Sequence, residues 1–318
     1  MPHDISERSC LLKTSSRTTA KFKYIAAMSI FGTIGVFVSS MPFSSAVCAF
    51  SRAFFGFLFI LVVTAVRKDA FDFDSVKRNI VSLAVTGVLL GSNWILLFAA
   101  YEYVEVPTAT VCYYMAPIFL IILTPFVLGE KLSLRKLACV AIAFVGVILV
   151  SGAGDLSGID SAKLIGIGVS LIAAVADAGI LLLSKRLTGV SGIARVTVQL
   201  AVAAVMLFVY VFATEGIGAF SVEPKFIPIL LIIGIVHTGF AYILFYDAIS
   251  VLDAQSFAIF SYADPIVALA ASAIVLGEVL SPVAALGAAL ILGATFADGV
   301  ADALFDRKSS IKKHHPQS

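Results

Sequence analysis

The sequence predicts an all-α membrane protein of ten transmembrane helices, built as two inverted five-helix repeats. Three observations carry this: a composition too apolar for water, a regular succession of apolar runs of bilayer length, and an internal repeat offset by 148 residues. Of 318 residues, 60% are hydrophobic and only 13% charged, about half the charged share of an ordinary soluble domain. The mean hydropathy is +1.04, and a soluble chain of this size could not cover itself with so few polar side chains. A soluble enzyme and a disordered scaffold are excluded. A net charge of +2 gives no reason to expect a nucleic-acid partner.

A bilayer core about 30 Å thick needs about 20 apolar residues per helix. Ten runs meet this, at roughly 24–41, 43–66, 79–100, 106–127, 134–151, 164–184, 193–214, 226–247, 254–276 and 281–303. The connections are short and hold most of the charge, as at Arg67 to Arg78, Glu130 to Lys136 and Lys185 to Arg195. With the N-terminus inside, the loops alternate so that nearly all of the 22 basic residues are cytoplasmic; Lys163 and Lys225 fall outside and Arg52 lies in a span. This is the distribution the positive-inside rule requires, and an even span count returns the C-terminus to the same side. The chain is therefore read as basic cytoplasmic tails at 1–23 and 304–318 flanking repeats at 24–151 and 164–303. The expected location is a bacterial plasma (inner) membrane, with both termini cytoplasmic.

The repeat is visible without gaps. Shifted by 148, Gly91–Ser133 lies on Gly239–Ser281. Trp94-Ile95-Leu96 meets Tyr242-Ile243-Leu244, and Tyr114 and Pro117 meet Tyr262 and Pro265. Leu128-Gly129-Glu130 meets Leu276-Gly277-Glu278. Each copy holds an odd number of spans, so the two must sit upside down relative to each other, a construction found in secondary transporters.

With these strings in view, the chain resembles the drug/metabolite transporter superfamily, of the ten-helix EamA-like kind. The likeness rests on the Tyr–Pro–Leu-Gly-Glu string in both halves and on Ala49-Phe50-Ser51-Arg52 in the second span, and it covers about residues 24–303. It implies carrier-mediated movement of a small polar or amphipathic metabolite, outward in many members. The implied partners are a small-molecule substrate and the lipid bilayer. No cofactor is implied.

Polar groups within spans are expensive and so are candidate sites. Arg52 offers a permanent positive charge for a carboxylate or phosphate; a fixed ion pair or a set of backbone carbonyls locking the second helix is the alternative. Asp177 and Asp264 are carboxyls able to exchange protons and couple transport to a gradient, or to pair with Arg52 or cap freed backbone. His237 titrates near neutrality, or rests neutral in a core hydrogen bond. Asn93 completes this set. Pro117 and Pro265 bend their helices and should leave carbonyls free near Tyr113 and Ser261. Beside them Trp94, Tyr114, Tyr242 and Tyr262 form an aromatic lining. Together with His237, Asp264 and Arg52 these aromatics are the expected substrate-binding set. Glu130 and Glu278 read as interfacial caps of the following helices, with Ser133 and Ser281 as N-caps.

Two rivals remain. Gly189-Val190-Ser191-Gly192 matches the Gly-x-Ser-Gly of rhomboid-like intramembrane serine proteases, and Ser191 with His237 would supply a nucleophile and base. A non-transporting scaffold is the other, but leaves the central charges without a role. HExxH, Walker A, GxGxxG and CxxC patterns are absent, so no metal site and no ATP-driven pump is indicated.

Overall fold

The computed structural model describes residues 3–66, 71–129, 133–151, 161–184, 186–249, 251–252 and 260–314. Every regular element among them is helical. Ten apolar helices follow one another: α1 His3–Ser39, α2 Ser45–Val66, α3 Ile80–Ala100, and α4 in two halves, Val106–Tyr113 and Ala116–Leu128. Then come α5 Leu134–Ser151, α6 Ser161–Ser184 and α7 Gly192–Glu215. In α8 an α-helical start at Ile227–Leu231 widens into a π segment, Ile232–Phe240, and returns to α at Ala241–Ile249. The described part of α9 is Ala263–Ala271 with a π turn at Ser272–Leu276, and α10 is Pro282–His314. A short helix, Phe73–Arg78, joins α2 to α3.

Seven of these segments are long and apolar enough to cross a membrane on that ground alone, and Ala263–Leu276 and Pro282–Ala297 are shorter apolar helices. Large aliphatic and aromatic side chains point outward, with Phe126 84% and Ile274 82% exposed. That surface suits lipid, not water. The protein is an integral multi-pass membrane protein.

Local chemistry sets the helix ends. Ser44, Ser133, Ser191 and Ser281 each accept a backbone N–H from the third residue onward, at 3.1 to 3.3 Å, as N-caps do. Gly129 and Gly277, equivalent under the repeat, end α4 and α9 at φ of 70° and 71°, a left-handed position that glycine fills without Cβ strain. The first and last helices extend into the basic tails. α1 begins at His3 and α10 runs to His314, because neither tail holds Pro or Gly to stop the helix inside these limits.

Packing sorts the helices into three groups. α1 lies along α8 and α9, and α2 along α8; α6 lies along α3 and α4, and α7 along α3. The pair α5 and α10 pack mainly on each other. Gly146 and Gly287 meet at that crossing, where a Cβ on either would strike the other's carbonyl oxygen. The groups {α1, α2, α8, α9} and {α3, α4, α6, α7} face each other, joined chiefly where α2 crosses α7. Each group draws helices from both halves of the sequence.

Candidate functional site

Arg52 sits on the inner face of α2 and is 6% exposed. Its Nε donates to Thr238 Oγ1 at 2.9 Å, and its guanidinium lies 4.0 Å from the ring centroid of Trp94. Phe98 lies beyond, at 6.0 Å. Among the described residues no carboxylate comes within 4.0 Å of it, so the ion pair considered from sequence is not formed. Stacking on an indole and one neutral hydrogen bond offset part of the cost of burying the charge. Tyr242, Tyr113, Tyr101 and Asp264 lie close enough to act on its charge.

The π segment of α8 produces this arrangement. A π turn shifts each following side chain relative to an α-helix and leaves carbonyls without their usual partners. Thr238 Oγ1 donates to Ile233 O at 2.9 Å, and His237 Nδ1 lies 3.4 Å from Ile232 O, each reaching five residues back. The threonine oxygen is thereby aimed at Arg52. Gly56 and Gly234 let α2 and α8 approach closely, for a Cβ on Gly56 would meet the Thr238 side chain.

Two carboxyls face the same region. Asp264 lies within hydrogen-bonding reach of the Tyr114 hydroxyl, and Asp177 within reach of that of Tyr113. Tyr113 also donates to Asn93 Oδ1 at 3.4 Å, while Asn93 Nδ2 donates to Ala173 O at 2.7 Å, tying α3 to α6. Asp177 and Asp264 are both half-buried, and Asp264 is close enough to Arg52 and to Asp177 to feel their charges.

The helix breaks bring these groups together. In α4 the chain makes turns at Tyr114 and Met115, and Pro117 opens the second half. α9 turns at Ser261 and Tyr262 before Pro265. The Ser261 carbonyl, expected free, instead accepts the Asp264 N–H at 3.3 Å.

Not every expected lining residue joins the group. Trp94 and Tyr242 share one core cluster around Arg52, with Tyr242 stacked on Tyr246 at 6.1 Å and edge-on to Phe31 at 5.4 Å. Tyr114 belongs to the neighbouring cluster of α4, α5, α6 and α10. Tyr262 turns to α10, edge-on to Phe296 at 5.3 Å. His237 is 3% exposed and points to α1, with Nε2 2.9 Å from Thr33 Oγ1 and the ring 4.7 Å from that of Phe37. Both its nitrogens are occupied, and Ser191 caps α7, so no Ser191–His237 pair is formed. Glu278 does not cap the following helix; it accepts the Val106 N–H at the start of α4, at 2.9 Å. Glu130 lies outside the described residues. Thr238, Tyr113 and Tyr101 were missed from sequence. Thr238 is visible only once the π turn is known, whereas Tyr113 could have been found as Tyr114's neighbour beside the proline.

A family model, that of the EamA-like transporter family, matches twice, over residues 20–152 and 164–297. An uncharacterized transporter of Bacillus subtilis (strain 168), YxxF, is 26% identical over 249 residues, covering 78% of this chain and 79% of its own. An uncharacterized transporter of Archaeoglobus fulgidus is 31% identical over 120 residues, 38% of this chain and 41% of its own. A protein of known crystal structure matches 91% of this chain and 98% of its own, with a TM-score of 0.58 at 19% identity. That likeness speaks for the fold alone.

Proposed function

The chain belongs to the EamA-like transporter family, and from that membership we propose that it is a secondary carrier exporting a small polar or amphipathic metabolite by alternating access. Its two inverted repeats, 24–151 and 164–303, form one unit in a bacterial plasma membrane with both termini cytoplasmic. The observation that carries this reading is the interior group of Arg52, Asp177 and Asp264, charged groups without an ion-pair partner among the described residues, set between two groups of helices. A buried guanidinium stacked on Trp94 with one neutral partner is a receptor for a substrate's anionic group. Trp94, Tyr242 and Tyr114 offer flat apolar surface beside it at the bends before Pro117 and Pro265, while Tyr262 and His237 pack behind that surface against α10 and α1. Asp177 and Asp264, held by tyrosine hydroxyls, carry the coupling protons. The same packing supports the repeat: α1 on α8 and α9 mirrors α6 on α3 and α4.

The chain's single tryptophan makes this testable. Candidates come from metabolite profiling of cells with and without the gene, followed by counterflow into proteoliposomes. A true substrate should be exchanged and should also change Trp94 emission in the purified protein, with both responses lost in Arg52→Leu. A transported compound whose exchange survives Arg52→Leu unchanged would place the site elsewhere. Cleavage of a membrane substrate that disappears in Ser191→Ala would make the protein an enzyme.

A further inference from the structure

Three glutamates at one end of the bundle each reach across to the first turn of another helix. Glu215, closing α7, accepts from Ser44 Oγ with both oxygens, at 2.7 and 2.9 Å, and Ser44 is the N-cap of α2. Glu102, just past α3, accepts from Ser45 Oγ at the start of α2. Glu278, just past α9, accepts the Val106 N–H at the start of α4. The starts of α2 and α4 and the ends of α3, α7 and α9 all belong to the same face. Carboxylates are favoured at helix N-termini because the unpaired N–H groups there are positive.

All three links run between {α1, α2, α8, α9} and {α3, α4, α6, α7}. The opposite face is held differently. Lys23 pairs with Asp247 at 3.0 Å, joining α1 to α8 inside one group. Arg186 Nη2 donates to Val127 O at 2.7 Å, and Asn79 Nδ2 to Thr188 O at 3.2 Å, both inside the other. Among the described residues, links between the groups on that face include Tyr246 with Arg195 and the 3.4 Å contact of Thr64 with Thr197.

We propose that Glu102, Glu215 and Glu278 are latches that hold the acidic face shut, and that opening this face separates the two helix groups at these three contacts. The inference rests on the alternating-access reading and adds which face is closed and what closes it. Such links suit a gate: partly solvated carboxylate contacts are individually weak and exchange readily with water, whereas the interleaved apolar packing within each group keeps it moving as one body. Opening at the acidic face leaves Lys23–Asp247 and Arg186–Val127 intact.

The test is a pair of spin-label distances in the full chain in nanodiscs. One pair, Ile217→Cys with Val279→Cys, spans the two groups at the acidic face; both positions are exposed. The other, Val66→Cys with Thr188→Cys, spans them at the opposite face. The triple variant Glu102→Ala/Glu215→Ala/Glu278→Ala should add a longer-distance population at the acidic face, at least several-fold above wild type, and shorten the opposite pair. Lys23→Ala, which cuts a link inside one group, should leave the acidic-face distance unchanged. A triple variant with the wild-type acidic-face distribution overturns the latch, as does an equal response to Lys23→Ala. If the triple variant fails to fold, each single Glu→Ala variant must give a smaller shift of the same sign, and no shift in any of them also overturns it. Alternating access itself fails differently: active wild-type protein would keep one fixed distance at both faces through a full range of gradients.

Discussion

The bends of α4 and α9 are equivalent in sequence and alike in backbone, yet they carry different chemistry. Both turn just before a proline, both end at a left-handed glycine, and both present a tyrosine at the break. At the position where α9 holds Asp264, however, α4 holds Ala116; where α4 holds Tyr113, α9 holds Ser261; and Asn93 on α3 is matched by Ala241 on α8. The proline and glycine that shape the backbone are kept in both copies, whereas Asp264, Tyr113 and Asn93 each appear in one. On the alternating-access reading, a duplicated scaffold needs its bends twice. A bound molecule needs each charge only once.

The largest effect expected from this asymmetry is at the carboxyls. Asp264→Asn keeps the hydrogen bond to Tyr114 but cannot release a proton, so gradient-driven accumulation in proteoliposomes should vanish while substrate exchange persists; Asp177→Asn should behave alike. The comparison is sharpened by moving the charge. Asp264→Ala combined with Ala116→Asp restores a carboxyl at the equivalent bend, yet should not restore accumulation, because Asp264 meets Tyr114 and Arg52 from α9, and position 116 lies on α4 beside Tyr114 itself. Full recovery would mean that the two breaks are interchangeable.

Arg52→Lys comes next. Lysine keeps the charge but loses the plane stacked on Trp94 and the Nε–H that meets Thr238. Together these are worth about 2–3 kcal/mol, which is roughly a thirty- to 150-fold loss in the ratio of transport rate to KM. Thr238→Val should reproduce part of that loss, and Thr238→Ser should spare it. Equal transport by Arg52→Lys and wild type would reduce Arg52 to a point charge.

The paired tyrosines then separate. Tyr114→Ala removes a side chain from the Asp264 side of the interior and should raise KM by about five- to thirty-fold, the cost of roughly 1–2 kcal/mol of lost contact. Tyr262→Ala instead unpacks α9 from Phe296 and should lower thermal stability with KM nearly unchanged. Equal KM shifts in both variants would restore the symmetric lining that the repeat predicts.

Most of the scaffold is legible in the sequence because the bilayer imposes a strong length filter and because glycine and proline mark the ends and bends directly. The boundaries of α2, α3, α5 and α7 lie within a few residues of the expected runs. The limits of sequence reading are as physical. The π turn at Ile232–Phe240 has no composition of its own, so Thr238 gave no signal as a partner of Arg52. His237 looked like a lining residue by depth, yet rotation about α8 points it at Thr33. Glu278 looked like a local cap because sequence shows only near neighbours; its acceptor role toward Val106 spans 172 residues.

The smallest expected effect is a pH dependence of the acidic face, and its sign follows from Glu278. Burial against the start of α4 pushes its carboxyl above the usual range; the Val106 N–H draws it partly back and the neighbouring Glu105 raises it further. When the face opens, water returns to the carboxyl and its pKa falls toward the ordinary value. The proton is then held more tightly in the closed arrangement than in the open one. Its contribution to closure is thus fully present below the ordinary glutamate pKa and is lost as pH rises through the raised value. Acidifying the medium should increase the closed population seen by the Ile217–Val279 label pair, by a modest factor, since Glu278 keeps access to solvent. Glu278→Gln resembles the protonated carboxyl: it accepts from Val106 without a charge to desolvate. It should give at neutral pH the closed fraction that wild type reaches in acid, and remove Glu278's share of the pH dependence. A wild-type closed fraction that falls on acidification, with Glu278→Gln flat, would mean that the ionised carboxylate is the stronger latch. Attraction to the Val106 N–H would then outweigh the cost of burial at this contact.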